Sequence, residues 1–267
     1  MSQDQQNKTL KAHRGALEEL YSKFNFSRDP WGYSKDYLDW NRDKIHRPVY
    51  ENLQPGNVLD AGGGYGYGRR YTDGRMHLSV DISLNILKHD SGAPKVIGAI
   101  EELPIKTGVF DNVVSVGVLR HCFNPERFVA EIHRVLTPEG RLVIATPAAD
   151  WPAVLKGTFW DLFKIFYAIS VFFEKKGGRS NNGAPGNGSD ADKSAENGNE
   201  EKGVVCDRLY LMEELISMVE TRFKVVKSGR CGVNILSSKR INPPRFLVDR
   251  YFNQQRLGRF IYVVAQK

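Results

Sequence analysis

An α/β domain with a mostly parallel sheet covered by helices on both faces is the fold class this sequence predicts, and three observations predict it. From Asn57 onward, short apolar runs alternate with helical patterns in the order NVLDA, HLSVD, KVIGA, NVVSVGV and RLVIAT. Such alternation implies βαβ crossovers, and runs with so few polar breaks suit strands buried on both faces. The first run breaks into VLDAGGGYGYG, residues 58–68, with five glycines in the seven positions 62–68. Glycine at that density abandons side-chain packing, as a chain does where it needs positive φ or close approach of its peptide groups to something bulky. Finally, FKVVKSG and RFIYVVAQ read as two further strands beyond a long polar break, so the sheet continues to the C-terminal end.

Taken in order, the elements justify themselves as follows. Leu10, His13, Leu17, Leu20, Tyr21 and Phe24 recur at three- and four-residue intervals and predict an amphipathic helix, part of an N-terminal helical cap over residues 1–50. The segment SRDPWGYSKDYLDWNRDKIHRPVY carries Pro30 and Gly32, which argue for an ordered loop before a second helix. Residues 51–150 form the core, where YGRRYTDG is expected to open a helix after the glycine turn and Glu126–Leu136 is the clearest connecting helix. Residues 151–175 are rich in aromatics: Phe159 to Phe173 is apolar nearly all round, interrupted by Asp161, Lys164 and Ser170, and Lys175 and Lys176 follow. That run is shorter than the roughly 20 residues a membrane span needs. Two readings stand side by side, an interfacial helix or greasy lid making peripheral membrane contact and admitting a lipid-like acceptor, and a buried helix over the crevice or a dimer contact. Residues 176–203 offer almost nothing to bury and read as a disordered low-complexity insertion. Residues 204–267 complete the same fold, with LYLMEELISMVETRF as a helix and the basic stretch SSKRINPPRFLVDRYFNQQRLGR as a solvated face or a contact for anionic lipid or acceptor.

With 267 residues, 41% hydrophobic and 26% charged, the chain has material for one good-sized domain with additions. Its start, MSQDQQNKTLKAHRG, lacks an apolar signal region, which predicts a cytoplasmic protein. Cys122, Cys206 and Cys231 show no spacing typical of a metal site or disulfide framework, so reduced thiols are expected and no metal. The 38 Lys and Arg against 31 Asp and Glu leave a formal charge of +7, which suits nucleic acid or an anionic membrane. Without zinc-finger spacing, an RNA-recognition signature or a basic run interleaved with aromatics, nucleic acid is the weaker of the two.

The glycine turn alone does not name a ligand, because several nucleotide-binding families place one after the first strand. No frame through 62–71 yields G-x-G-x-x-G; the pattern is Asp60-x-Gly62-x-Gly64-x-Gly66, followed by Asp81 at the end of the next strand, about the separation of a ribose-binding acid. In order, VLDAGGGYG, VDIS, EELPIKTGVFDNVVSVGVLRH and EIHRVLTPEGRLVIATP resemble the class I S-adenosylmethionine-dependent methyltransferases of the small-molecule type, over roughly residues 57–147. The resemblance implies a Rossmann-like seven-stranded sheet with its last strand antiparallel. It also implies S-adenosyl-L-methionine as cofactor and methyl transfer to a small-molecule or lipid-linked acceptor.

Carried over position by position, Gly62, Gly64 and Gly66 would let the backbone pass the methionine part of the cofactor, and Asp60 would orient that loop. Asp81 would accept hydrogen bonds from the two ribose hydroxyls, and Ile82 would lie against the adenine. Two departures stand out. Where the family commonly has an acid for the adenine amino group, GAIEELP has Ala99 and Ile100, leaving base recognition to the Ile100 backbone and apolar packing; the common LEH is Leu119-Arg120-His121. His121 is the candidate general base, since imidazole titrates near neutrality. Trp31 and Tyr33 are candidate aromatic walls for the acceptor, and Tyr65 borders the transfer pocket while Tyr67 faces outward. A non-catalytic S-adenosylmethionine-binding regulator is the alternative from another class; the glycine spacing argues against a nicotinamide oxidoreductase. Neither the methylated element nor the oligomeric state is legible.

Overall fold

The computed structural model describes residues 3–23, 35–92, 94–150, 207–232 and 258–267. Trp31, Tyr33 and Cys206, the apolar stretch 151–175, the low-complexity stretch 176–203 and most of the basic stretch before the last strand lie outside these residues.

Seven strands form one sheet in the order β3-β2-β1-β4-β5-β7-β6. They are β1 (Val58–Ala61), β2 (His77–Asp81), β3 (Lys95–Ile97), β4 (Phe110–Val116), β5 (Leu136–Pro147), β6 (Lys224–Cys231) and β7 (Phe260–Gln266). Neighbours from β3 through β5 pair in parallel, while β7 pairs antiparallel with both β5 and β6. β7 therefore runs against all the others, as the resemblance implied.

Every residue of β1 is buried, as a central strand covered on both faces requires. Alternate residues feed two cores. On one face Leu59, Val113, Leu142 and Ile144 meet Phe128, Val129 and Ile132 of helix α4 (Pro125–Val135). That helix begins where Asn124 caps it, its side chain accepting from Arg127 N at 2.9 Å. Helix α5 (Met212–Glu220) adds Leu215 and Val219 to the same face. On the opposite face Val58, Val114, Val143 and Val264 pack against Val49 and Tyr50 of helix α2 (Lys35–Tyr50). Helix α1 (Gln3–Lys23) and the single turn α3 (Leu84–Leu87) lie nearer the strand ends.

Two elements differ from the sequence expectation. YGRRYTDG forms only a five-residue 3-10 turn, Tyr67–Tyr71, between left-handed glycines at Gly66 (φ 71°) and Gly74 (φ 74°). The glycines favour reversal, and Arg69 is pulled inward to a partner far along the chain, described below. β3 stops at Ile97 rather than running through KVIGA, because Gly98 turns against Pro104, where a Cβ would sit 2.8 Å from the ring. No helix among the described residues is long and apolar enough to cross a membrane.

Chain order reverses beside β1, whose neighbours are β2 on one side and β4 on the other. In open α/β sheets the crevice beyond the strand ends at such a point is where ligands bind.

Candidate active site

A cavity of ≈ 190 Å³ occupies that crevice. Its floor and sides come from loops after four parallel strands: Gly62, Gly64 and Tyr65 after β1, Asp81 and Ile82 after β2, Gly98 to Glu101 after β3, and Val116 to Val118 with His121 and Cys122 after β4. Its roof is a stripe of helix α1 at helical spacing, Arg14, Leu17 and Tyr21.

The glycine turn is dictated by crowding. Gly62 has φ 85°, its N–H donates to Val80 O at 2.7 Å, and a Cβ there would lie 2.1 Å from Val118 Cγ2. Gly64 has φ 53° and donates its N–H to Asp81 Oδ2 at 3.1 Å. Gly66 is not among the residues lining the cavity, and a Cβ there would fall 2.2 Å from Asp90 Oδ1.

Asp90 anchors the turn from behind. Its buried carboxylate accepts from Arg69 Nε and Nη2 at 2.9 Å and from Ser79 Oγ at 3.0 Å, while Arg69 also donates to the carbonyls of His77 and Pro94. Burial pushes the Asp90 carboxyl up, but the bonds from Arg69, Gly92 N and Ser79 outweigh it and hold it below the usual carboxylate range.

Asp60 does not line the cavity. It is buried beneath the turn, accepting from Tyr50 Oη at 2.8 Å and lying 3.4 Å from His77 Nε2. It touches the loop by packing alone among the described residues, since a Cβ on Gly63 or Gly68 would press to 3.2 or 2.5 Å of its carboxyl group.

Asp81 does line it. Its Oδ1 accepts from Ser83 N at 3.0 Å and its Oδ2 from Gly64 N, with the Ile82 backbone N–H also directed at the carboxylate, which leaves part of its roughly four lone-pair sites. The remaining acceptors suit a vicinal diol. Burial raises its pKa, opposed by the backbone bonds from Ser83 and Gly64. Ile82, Ala99 and Ile100 add apolar surface alongside. Glu101 borders the cavity, but its Oε1 accepts from Asn124 N at 2.6 Å and so secures the start of α4. A side-chain-free turn, a carboxylate with acceptors to spare and an apolar slot together fit a nucleoside such as that of S-adenosylmethionine.

His121 ends a 3-10 turn, Leu119–His121. Its backbone is held on both sides: its N–H donates to Val118 O at 2.9 Å and its carbonyl accepts from His13 Nε2 at 2.8 Å. Its ring meets that of Tyr21 edge-on, with centroids 5.9 Å apart. Burial, with Asp81 adding to it, pushes the Tyr21 phenol up to about 12, so its hydroxyl stays a neutral donor. Arg120, the altered member of LRH, instead turns to an ion pair with Asp207. Tyr65 lines the cavity; Tyr67 does not, and lies under the Arg42 guanidinium at 4.2 Å.

The roof residues escaped the sequence reading as site residues. Leu17 and Tyr21 were visible only as members of an apolar stripe, and Arg14 not at all. The signal available was His13, a polar residue within a buried helical face.

A family model described as a methyltransferase domain matches residues 59–144. The chain is 34% identical over 158 residues to an uncharacterized protein of Methanocaldococcus jannaschii, a match covering 57% of this chain and 68% of that protein. It is 35% identical over 112 residues to a probable S-adenosylmethionine-dependent methyltransferase of Mycobacterium tuberculosis, covering 38% of this chain and 41% of that one, so less than half of this relative's length is spanned. Among solved structures it resembles in fold the Burkholderia thailandensis 1,6-didemethyltoxoflavin-N1-methyltransferase with bound 1,6-didemethyltoxoflavin and S-adenosylhomocysteine, at TM-score 0.54 and 16% identity over 97% of this chain and 90% of that one. By motif order, strand order, family match and relatives, the chain belongs to the class I S-adenosylmethionine-dependent methyltransferases.

Proposed function

We propose that the chain transfers the methyl group of S-adenosylmethionine to a small organic acceptor by direct in-line displacement, with His121 taking the proton when the acceptor is a hydroxyl. The observation that carries this reading is Asp81, whose carboxylate is fixed by backbone N–H groups of the loops around it and keeps acceptor capacity at the wall of the cavity. When bound, the cofactor supplies an already activated methyl on a sulfonium, so the chain's own task is alignment and exclusion of water.

Gly62 and Gly64 shape the passage, Asp81 accepts from the ribose hydroxyls, and Ile82 and Ile100 hold the base. Leu17 and Tyr21 close the roof against water, and the neutral Tyr21 hydroxyl orients the acceptor beside His121. His121 would take the proton that a hydroxyl acceptor gives up on methylation, and the Tyr21 hydroxyl beside it would hold that acceptor in line. A site roofed by Leu17 and Tyr21 supports a small acceptor. So does the small heterocycle bound to the Burkholderia thailandensis protein of like fold. A lipid-linked acceptor is the wider form of this proposal, and it rests on residues 151–175, which lie outside the described residues.

Calorimetry of the full chain with S-adenosylmethionine and S-adenosylhomocysteine tests the first part. Asp81→Ala is expected to weaken both by roughly tenfold to a hundredfold, the worth of hydrogen bonds to a charged group. Because binding uses the carboxylate and burial raises its pKa, wild-type affinity falls on acidification, starting above the ordinary carboxylate range. Undiminished affinity in Asp81→Ala, or none in the parent chain, overturns the proposal. A release assay for S-adenosylhomocysteine over a panel of acceptors tests the second part. His121→Gln is expected to lower turnover of a hydroxyl acceptor about a hundredfold or more, and binding without turnover on any acceptor returns the chain to a regulatory role.

A further inference from the structure

We propose that Arg14, on helix α1, reads the purine of the bound nucleoside through the Nε and Nη2 edge of its guanidinium, positions 99 and 100 of the facing rim carrying no carboxylate to do so. This rests on the nucleoside-binding reading above and goes beyond it in naming how the base is recognised and which bases are accepted.

In the rim formed by Gly98, Ala99, Ile100 and Glu101, positions 99 and 100 carry no acid, and the one carboxylate, Glu101, is drawn toward the start of α4. Ala99 and Ile100 are apolar, and Glu101 is bonded to Asn124 N. Glu102 faces Arg14, accepting from Nη1 at 3.2 Å, with Arg127 at 3.8 Å. Arg14 lines the cavity, and its Nε and Nη2 are buried with no hydrogen-bond partner among the described residues. Buried donors of a charged group are costly to leave unmade, so such an edge marks a place where an acceptor belongs. Nε–H and Nη2–H point the same way and form the side-on fork of a guanidinium, which has donors and no acceptor. Helix α1 holds that fork in place through buried Leu17 and through the bond from His13 Nε2 to the His121 carbonyl.

Donors alone invert the usual logic of adenine selection. A carboxylate accepts from the 6-amino group and rejects a 6-oxo group. A guanidinium finds only isolated ring-nitrogen acceptors on adenine, but on hypoxanthine it finds O6 and N7 side by side, the pair that an arginine fork matches on guanine. The site therefore tolerates or prefers the deaminated nucleoside.

Calorimetry of the full chain with S-adenosylhomocysteine and with S-inosylhomocysteine reads this directly. The parent chain is expected to bind the inosine compound within about threefold of the adenosine compound, or more tightly. Arg14→Met, which keeps length and removes the donors, is expected to lose roughly tenfold for the inosine compound and less for the adenosine one. Inosine binding more than about threefold weaker in the parent chain overturns the proposal, as do unchanged affinities in Arg14→Met. If Arg14→Met fails to melt cooperatively, the parent ratio decides alone. Failure of the parent chain to bind either compound is a different result, and it removes the nucleoside reading itself.

Discussion

The two sides of the cavity are built by different means. On the sheet side the glycine turn and Asp81 rest on buried polar partnerships: Arg69 with Asp90, Ser79 and two carbonyls, and Asp60 with Tyr50 beneath the turn. On the roof side, helix α1 reaches the cavity through buried Leu17, one His13 bond to a backbone carbonyl, an edge-on ring contact and the Arg14–Glu102 pair, whose acid is 61% exposed. An exposed pair of that kind contributes about 0.2–1 kcal/mol. The contrast teaches that the sheet half of the cavity is part of the folding core, whereas the roof can change its chemistry at little cost to the fold. Arginine above a rim with Ala99 and Ile100 is one such feature.

The largest effect expected is on the sheet side. Asp90→Ala leaves the Arg69 guanidinium buried without its carboxylate and is expected to cost about 3–5 kcal/mol, read as a lowered midpoint in chemical denaturation. The sign with pH follows. A carboxyl held below its unfolded value contributes stability above about pH 4 that is lost as pH falls through the folded value. Asp90→Ala should therefore narrow the stability gap between neutral and acid pH. Equal stability of mutant and parent would break the comparison at its root, because the turn would then not depend on the core.

Next in size is Gly62→Ala. A residue with a side chain at φ 85° costs roughly 1–2 kcal/mol, and the contact of 2.1 Å with Val118 Cγ2 adds overpacking of about 1–3 kcal/mol. Thermal denaturation should register a loss of about 2–5 kcal/mol together with weaker nucleoside binding. A mutant that lost affinity but no stability would place Gly62 among the roof-like, replaceable parts of the site.

The inner strands β1, β2, β4, β5 and β7 were legible because strands covered on both faces leave apolar runs that need no distant information, and the more exposed edge strands β3 and β6 still showed as the short runs KVI and KVV. The placement of Asp81 and Gly62 at the cavity was legible for a similar reason, since each sits at a strand end. What escaped depends on partners far away in sequence. The turn at Tyr67–Tyr71 is short because Arg69 reaches Asp90, 21 residues on, and Gly66 is a glycine because that same carboxylate fills the space beside it. Arg120 faces Asp207, 87 residues later, a pairing that no periodicity announces. Helical spacing revealed which stripe of α1 is buried but not what it is buried against, so Arg14 and Tyr21 stayed invisible as site residues.

The smallest effect belongs to the roof and separates the two sides most sharply. His13→Phe keeps an aromatic ring beside Phe123, whose centroid is 5.6 Å away, but removes the N–H that the His121 carbonyl accepts. The loss is about 1 kcal/mol, the net worth of one hydrogen bond. Because the bond joins α1 to the turn after β4 rather than to the core, the cost should fall on the roof alone. Hydrogen exchange is expected to speed up by about fivefold in α1 while the amides of β1 and β4 exchange as in the parent. Nucleoside affinity should fall by a similar factor, because a roof that opens more often lets the ligand leave. Uniform acceleration across the strands would mean that α1 is knit into the core after all, and that the site has one wall rather than two.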